Sequence, residues 1–286
     1  MRLSWCVAAA ALAALPLAAQ GPFSLRDLNA DSVELAEGGK PVFVYNHGMV
    51  LANGAPEAKR RSSYLHPVYA PDGTVLTDDF PRDHWHHRGI FWTWPIVRAG
   101  GVKYDAWLIE GIKTRFVRWI QRQAPRLAVE NGWFAGDRKL VTETVEIVAH
   151  PTHDQRRVLD FRIVLEAAGI PVELEGEPAQ EKGYGGFSVR FAPRQETVIT
   201  TDKGAEARDT DMVPHPWAQL EATYSGRRAG LRIDIDPANP AFPNGWCLRK
   251  YGFLGVNYPG RKTITLQPGA PLVMKYRVTL YSAQRQ

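Results

Sequence analysis

Arg157-Val158-Leu159-Asp160-Phe161-Arg162-Ile163-Val164-Leu165-Glu166-Ala167 alternates apolar and polar side chains with a period of two. Leu159, Phe161, Ile163 and Leu165 share one face while Asp160, Arg162 and Glu166 share the other, the pattern of a half-buried strand. Working outward, Val141 to Ala149 places Val145, Ile147 and Ala149 on one face. Leu272 to Tyr281 does the same with Met274, Tyr276, Val278 and Leu280. Turn signals separate such runs at Pro71-Asp72-Gly73, Asn131-Gly132, Gly185-Gly186, Pro259-Gly260 and Pro268-Gly269. No long amphipathic helix interrupts them. Many strands joined by Pro and Gly turns predict an all-β protein, a single-domain antiparallel β-sandwich of the two-sheet supersandwich kind over residues 20–286. The acidic segment Pro171 to Lys182 reads as an exposed loop.

The chain opens on Met1-Arg2 and an apolar run from Val7 to Leu17, closing with Ala18-Ala19-Gln20, which is the order of a secretory signal peptide. Residues 1–19 are therefore expected to be removed, leaving a periplasmic or secreted protein. The run is shorter than the roughly 20 residues of a membrane span, and no later stretch comes closer, so no span is expected in the mature chain. Of the 2 cysteines, Cys6 leaves with the signal peptide and only Cys247 remains, which excludes an intramolecular disulfide. The net charge of +5 is scattered rather than clustered. Lys59-Arg60-Arg61 and Arg156-Arg157 read as solvated rims beside turns, and a nucleic-acid partner is not expected.

Three of the 8 histidines fall within Asp83-His84-Trp85-His86-His87-Arg88. Taken as extended backbone, this window puts His84, His86 and Arg88 on one face and Asp83, Trp85 and His87 on the other. Two chemistries fit. In one, His84 and His86 are two ligands of a divalent metal such as copper or zinc, with His66, His47, His215 or a carboxylate as the third. In the other, the imidazoles move protons to and from a substrate while Arg88 holds an anionic or hydroxyl group. Spacing does not choose between them.

Aromatic residues crowd the same region: Trp85, Phe91, Trp92, Trp94, Tyr104 and Trp107. Indole faces stack on the C–H faces of sugar rings, so these side chains direct the reading toward carbohydrate. His66, ahead of a turn, projects from a strand end. Lys182-Gly183-Tyr184-Gly185-Gly186 lets backbone approach a ligand and leads into a strand carrying Arg190, without the strand-to-helix setting of a phosphate loop. His215-Pro216-Trp217 and the stretch from Asn244 through Trp246 to Arg249 each join an aromatic ring to a hydrogen-bonding group. Gly-x-Ser-x-Gly, His-Glu-x-x-His and Cys-x-x-Cys are absent from the sequence, which removes the common hydrolase, zinc-protease and redox motifs.

With these residues in place, most of the mature chain resembles a bacterial family of exported proteins labelled PmoA-like, after the membrane subunit of methane monooxygenase. The resemblance is carried by Arg61 to Pro67, by Asp79-Phe80-Pro81-x-Asp83-His84-x-His86-His87-Arg88-Gly89, and by Gly183-Tyr184-Gly185-Gly186 with Arg190. Trp217, Asn239-Pro240, Trp246, Arg249, Tyr251-Gly252 and Asn257 add to it. Methane oxidation does not carry over, because that subunit crosses a bilayer several times. What the resemblance implies is a galactose-mutarotase-like supersandwich whose cleft sets His84, His86 and His87 beside His66. Arg88 and Arg190 would then clamp hydroxyls or a carboxylate, and Asp83 would orient an imidazole. Asp79, Asp83 and Glu110 all stand as candidates for the base.

The sequence therefore predicts an exported carbohydrate-active enzyme that cleaves or rearranges a glycoside or modified sugar by histidine-centred acid/base chemistry. Glycosidic cleavage comes first, with lyase and epimerase chemistry open beside it. Catalysis is assigned to His84, His86, His87, His66 and Asp83. Substrate binding is assigned to Arg88, Trp92, Trp94, Lys182, Tyr184, Arg190, Trp217, Trp246, Arg249 and Asn257. The alternatives are a metal enzyme built on His84 and His86, and a non-catalytic carbohydrate-binding protein.

Overall fold

The computed structural model describes residues 22–283; the stretch 1–19 expected to be a signal peptide, with Cys6, lies outside the described residues. Strand Arg156–Ala167 buries every second side chain, with Leu159, Phe161, Ile163 and Leu165 all at 2% exposure or less. It pairs antiparallel with Arg138–Ala149, Val145 opposite Ile163, and with Leu272–Ser282, Tyr276 opposite Phe161. The apolar faces expected for all three strands thus coincide.

These strands are the centre of a nine-stranded sheet that runs in space Gly204–Ala205, Gln195–Thr201, Trp217–Tyr224, Arg227–Ile235, Leu272–Ser282, Arg156–Ala167, Arg138–Ala149, Arg126–Ala135, Lys113–Gln123. A second sheet, also of nine strands, runs Phe23–Asn29, Ser32–Glu37, Lys40–Asn46, Tyr64–Val68, Ile90–Thr93, Gly186–Arg190, Phe253–Asn257, Gly245–Arg249, Thr210–Pro214. For brevity these are the back and front sheets. A four-stranded sheet, Ile264–Leu266, Val172–Glu175, Ile96–Ala99 and Val102–Tyr104, completes the set. All named pairings are antiparallel, and helical turns among the described residues are limited to Glu57–Lys59 and Ala179–Glu181. No helix among them is long and apolar enough to cross a membrane.

The front and back sheets meet face to face through one apolar core. Phe187 of the front sheet packs edge-on against Phe161 at 5.2 Å and stacks on Tyr276 at 4.4 Å. The protein is therefore an all-β antiparallel sandwich.

Three local expectations are corrected. Asn131-Gly132 lies inside strand Arg126–Ala135 rather than at a turn, because Asn131 is fully buried and its amide donates to Glu143 and Tyr45. Val172–Glu175 is a strand of the small sheet with Val172 and Leu174 buried, so only the rest of 171–182 is loop. Arg61 and Arg157 are 7% and 2% exposed rather than solvated, Arg157 being drawn inward by Glu37 at 3.0 Å.

Candidate functional site

Val189, Phe187, Leu254, Val256, Trp246 and Leu248 of three adjacent front-sheet strands enter the core. Their alternating neighbours, Arg190, Phe253, Cys247 and Arg249, consequently emerge on the sheet's outer face. Segment 78–89 crosses this face, tied down where Asp78 N donates to Arg190 O and Arg190 N to Gly89 O. The segment is not extended. His84 N donates to Pro81 O and His87 N to His84 O, giving two tight turns in succession.

Arg88 is the physical reason for that curl. Its guanidinium donates to Trp85 O, His87 O and Lys59 O, lies 3.3 Å from the Phe80 ring centroid and has Asp79 Oδ1 3.5 Å from its Nε. It has no exposed surface, so it holds the loop and does not clamp a ligand as expected. Arg61 supports the loop beneath, donating to His86 O and Ala106 O. Burial among these groups, with Arg88 close by, pushes the Arg61 guanidinium down to about 9.

The turns bring the three imidazoles together despite their alternating sequence positions. His84 and His87 stack at 4.5 Å with planes 8° apart, and His86 meets His87 edge-on at 4.6 Å. Tyr251 stacks on the other partner, His84, at 5.4 Å, while Phe253 lies against His87 at 5.0 Å. The cluster opens on a cavity of about 290 Å³ whose remaining walls are Trp107, Leu108, Lys182, Tyr184, Cys247 and Arg249. Burial, followed by His84 and the nearby arginines and lysine, pushes the His86 ring down to about 3. Burial and the neighbouring rings drive His87 well below its ordinary range too. Both are neutral at physiological pH. The rings face one another rather than a common point, and among the described residues no three His, Cys, Asp or Glu are placed to hold a metal.

Asp83 stands behind His84. Both of its oxygens accept from Arg190 Nη2, at 2.9 and 2.8 Å, and Oδ2 is 3.0 Å from His84 Nδ1. That last approach is bent from ideal alignment, since Nδ1 completes no full hydrogen bond. Partial burial pulls the Asp83 carboxyl up, but Arg190 and His84 outweigh it and hold it below the usual carboxylate range. Arg190 therefore fixes Asp83, and Asp83 sets a carboxylate against the Nδ1 edge of the His84 ring. Tyr184 and Tyr251 are pushed up to about 12 by burial and stay protonated as donors. Burial likewise pushes the Cys247 thiol up to about 12, so it is not a thiolate nucleophile.

The sequence-predicted residues divide. His84, His86, His87, Lys182, Tyr184 and Arg249 line the cavity, with Asp83 and Arg190 directly behind. His66 shares the outer face, but its Nδ1 engages Thr77 Oγ1 at 3.0 Å and it does not line the cavity. Trp92, Trp94 and Trp246 lie inside the fold, their indoles donating to Glu143, Tyr258 O and His215 O. Trp217 is on the back sheet beneath Arg232 at 3.9 Å. Asn257 is 2% exposed and donates to Met212 Sδ. Asp79 is buried against Tyr64 and Arg88, and Glu110 is exposed outside the cavity, which leaves Asp83 as the carboxylate of the site. His47 packs on Phe116 and His215 pairs with Asp202, far from the role of a third ligand. Trp107, Leu108, Cys247, Tyr251 and Phe253 were not assigned from sequence. Trp107 stood among the crowded aromatics, Tyr251 within a quoted motif and Cys247 within the Asn244 to Arg249 stretch, the signals that marked them.

Fold and site together define a β-sandwich protein with a histidine-lined cavity on the outer face of one sheet. The chain belongs to a family of unknown function, DUF6807, whose model matches residues 32–286. The family is shown under that description and not under the PmoA-like label. No curated protein matches the sequence. Among solved structures it is similar to one described as the heparinase III BT4657 gene product, with a TM-score of 0.38 and 10% identity over 93% of this chain and 35% of that one. It is also similar to a TPR-domain containing protein from Parabacteroides distasonis, with a TM-score of 0.34 and 12% identity over 89% of this chain and 48% of that one. The chain thus spans about a third of the first structure and about half of the second.

Proposed function

We propose that the protein is an exported carbohydrate-active enzyme that breaks or rearranges a sugar by proton transfer from the histidine cavity. The observation that carries this is the convergence of His84, His86 and His87 on one cavity whose first imidazole is backed by the Arg190–Asp83 pair. His84 is the general base, with Asp83 as its positioning carboxylate. Tyr251 and Tyr184 are proton donors. Trp107 and the two tyrosines give the cavity an aromatic lining, and about 290 Å³ admits one sugar ring while its neighbours extend into solvent. The same reading takes the architecture as the galactose-mutarotase type, supported by two nine-stranded antiparallel sheets with the cavity on the outer face of one.

The test is to incubate the purified protein with a panel of neutral and acidic oligosaccharides and to identify products by mass spectrometry. Turnover is expected, and His84→Gln is expected to lower kcat by about 10²- to 10⁴-fold, the usual worth of a positioned acid or base. Binding without turnover makes the protein a carbohydrate-binding module instead. Turnover that survives replacement of all three histidines ends the mechanism.

A further inference from the structure

The cavity carries charge of one sign only. Lys182 and Arg249 line it, and no Asp or Glu is among its described lining residues. Asp83 lies behind His84 and is occupied by Arg190. Arg249 is anchored at its rear, Nη1 donating to Thr210 O at 2.8 Å and Nη2 pairing with Asp211 Oδ1 at 2.5 Å, which fixes the guanidinium at the cavity wall. Lys182, half-buried at the cavity wall, is in no ion pair among the described residues. A half-buried ammonium on the same wall as a guanidinium held from behind by Asp211, with no carboxylate lining the cavity itself, favours an anionic ligand.

The missing carboxylates bear on chemistry as well. Hydrolysis of a glycoside ordinarily uses two carboxyl groups flanking the bond, one to protonate and one to attack or to activate water. This cavity offers instead an imidazole backed by a carboxylate, protonated tyrosines and two cations.

We infer, building on the sugar reading above, that the substrate is a 4-linked uronate and that the cavity breaks its chain by β-elimination. Lys182 and Arg249 hold the C6 carboxylate and neutralise the charge that builds on it, which acidifies the neighbouring C5 proton. His84 Nε2 takes that proton, the C5–H electron pair becomes the C4=C5 double bond, and the C4–O4 bond breaks. Tyr251, stacked on His84 at 5.4 Å, gives its proton to the departing O4. Proton return from His84 to Tyr251 through solvent closes the cycle. No water is consumed and no oxidant is needed.

The experiment compares 4-linked uronate oligosaccharides with the same oligosaccharides whose carboxyls are reduced to hydroxymethyl groups, in water labelled with oxygen-18. The acids are expected to give ultraviolet-absorbing unsaturated ends without label, and the reduced forms to give no product. Lys182→Ala is expected to lower kcat/KM for the acids by tenfold or more, kcat falling as KM rises, and Lys182→Arg to recover part of it. Saturated products without the ultraviolet band, or equal turnover of the reduced forms, overturn the uronate elimination and leave the sugar enzyme standing. Absence of turnover on every sugar removes both.

Discussion

Asp83 has half of its side chain in solvent, yet both oxygens are engaged by Arg190 and one approaches His84. In the mechanism proposed above, its part is to hold the His84 imidazole in place. Asp83→Asn preserves shape and removes the charge, so kcat is expected to fall by about 10²-fold or more with KM nearly unchanged, measured by steady-state kinetics. The carboxyl is held below its ordinary range, so its stabilising interaction is complete above that range and is lost as pH falls through the depressed value. A merely structural Asp83 would instead lower stability and activity together. At this scale the sequence was informative where titratable groups were dense: His84, His86, His87 and Asp83 stood within five positions, and the turns that gather them are local. It misled where burial decides. Arg88 differs in sequence from a ligand clamp by nothing, but three carbonyls capture its guanidinium. Trp92 and Trp94 sit on a front-sheet strand and its exit with indoles directed to Glu143 and Tyr258 O, and counting tryptophans cannot tell which face they take.

The loop 78–89 is the element on which the site depends, and Arg88 is its internal tie. Arg88→Ala removes the donor to Trp85 O, His87 O and Lys59 O and leaves Asp79 buried without its cation. Losing these buried hydrogen bonds from a charged donor is expected to cost about 3 kcal/mol or more, read as a lower midpoint in denaturant unfolding. Arg88→Lys keeps the charge but not the fork, so it is expected to retain more stability than Arg88→Ala while still losing activity as the histidine rings separate. Strands and this loop were unequally legible for a shared reason. Leu159, Phe161, Ile163 and Leu165 alternate because one face of Arg156–Ala167 meets the core, so periodicity reports the strand directly. Segment 78–89 has no repeating environment. Its shape is set by Arg61, Arg88 and the Arg190 backbone, partners that the sequence holds at a distance or hides in the loop itself. Asn131-Gly132 shows the converse: a turn dipeptide stays in a strand when the Asn amide is wanted in the interior.

Across the whole molecule, the two large sheets are joined by more than apolar packing. Glu143 of the back sheet is 1% exposed and accepts from Trp92 of the front sheet, from Trp133 and from Asn131, all at 2.9 Å. Burial raises its carboxyl above the ordinary value of 4.5 even though Asn131, Trp133 and Trp92 pull it down. A carboxyl raised by folding binds more protons in the native than in the unfolded chain between those two values. Its contribution to stability therefore declines as pH rises from 4.5 through the folded value, and is level above it. Glu143→Leu leaves three buried donors without acceptors, each worth roughly 1–3 kcal/mol, so a loss of about 3 kcal/mol or more is expected. Glu143→Gln keeps an acceptor for the indoles, and Asn131, whose Oδ1 has no partner, can turn its amide to receive the new N–H. Its cost is expected to be about 1 kcal/mol. Denaturant unfolding of the three proteins at several pH values checks this. The glutamine variant should lack the Glu143 part of the decline, so its deficit against wild type shrinks as pH rises. A deficit independent of pH would mean that Glu143 does not change its protonation on folding.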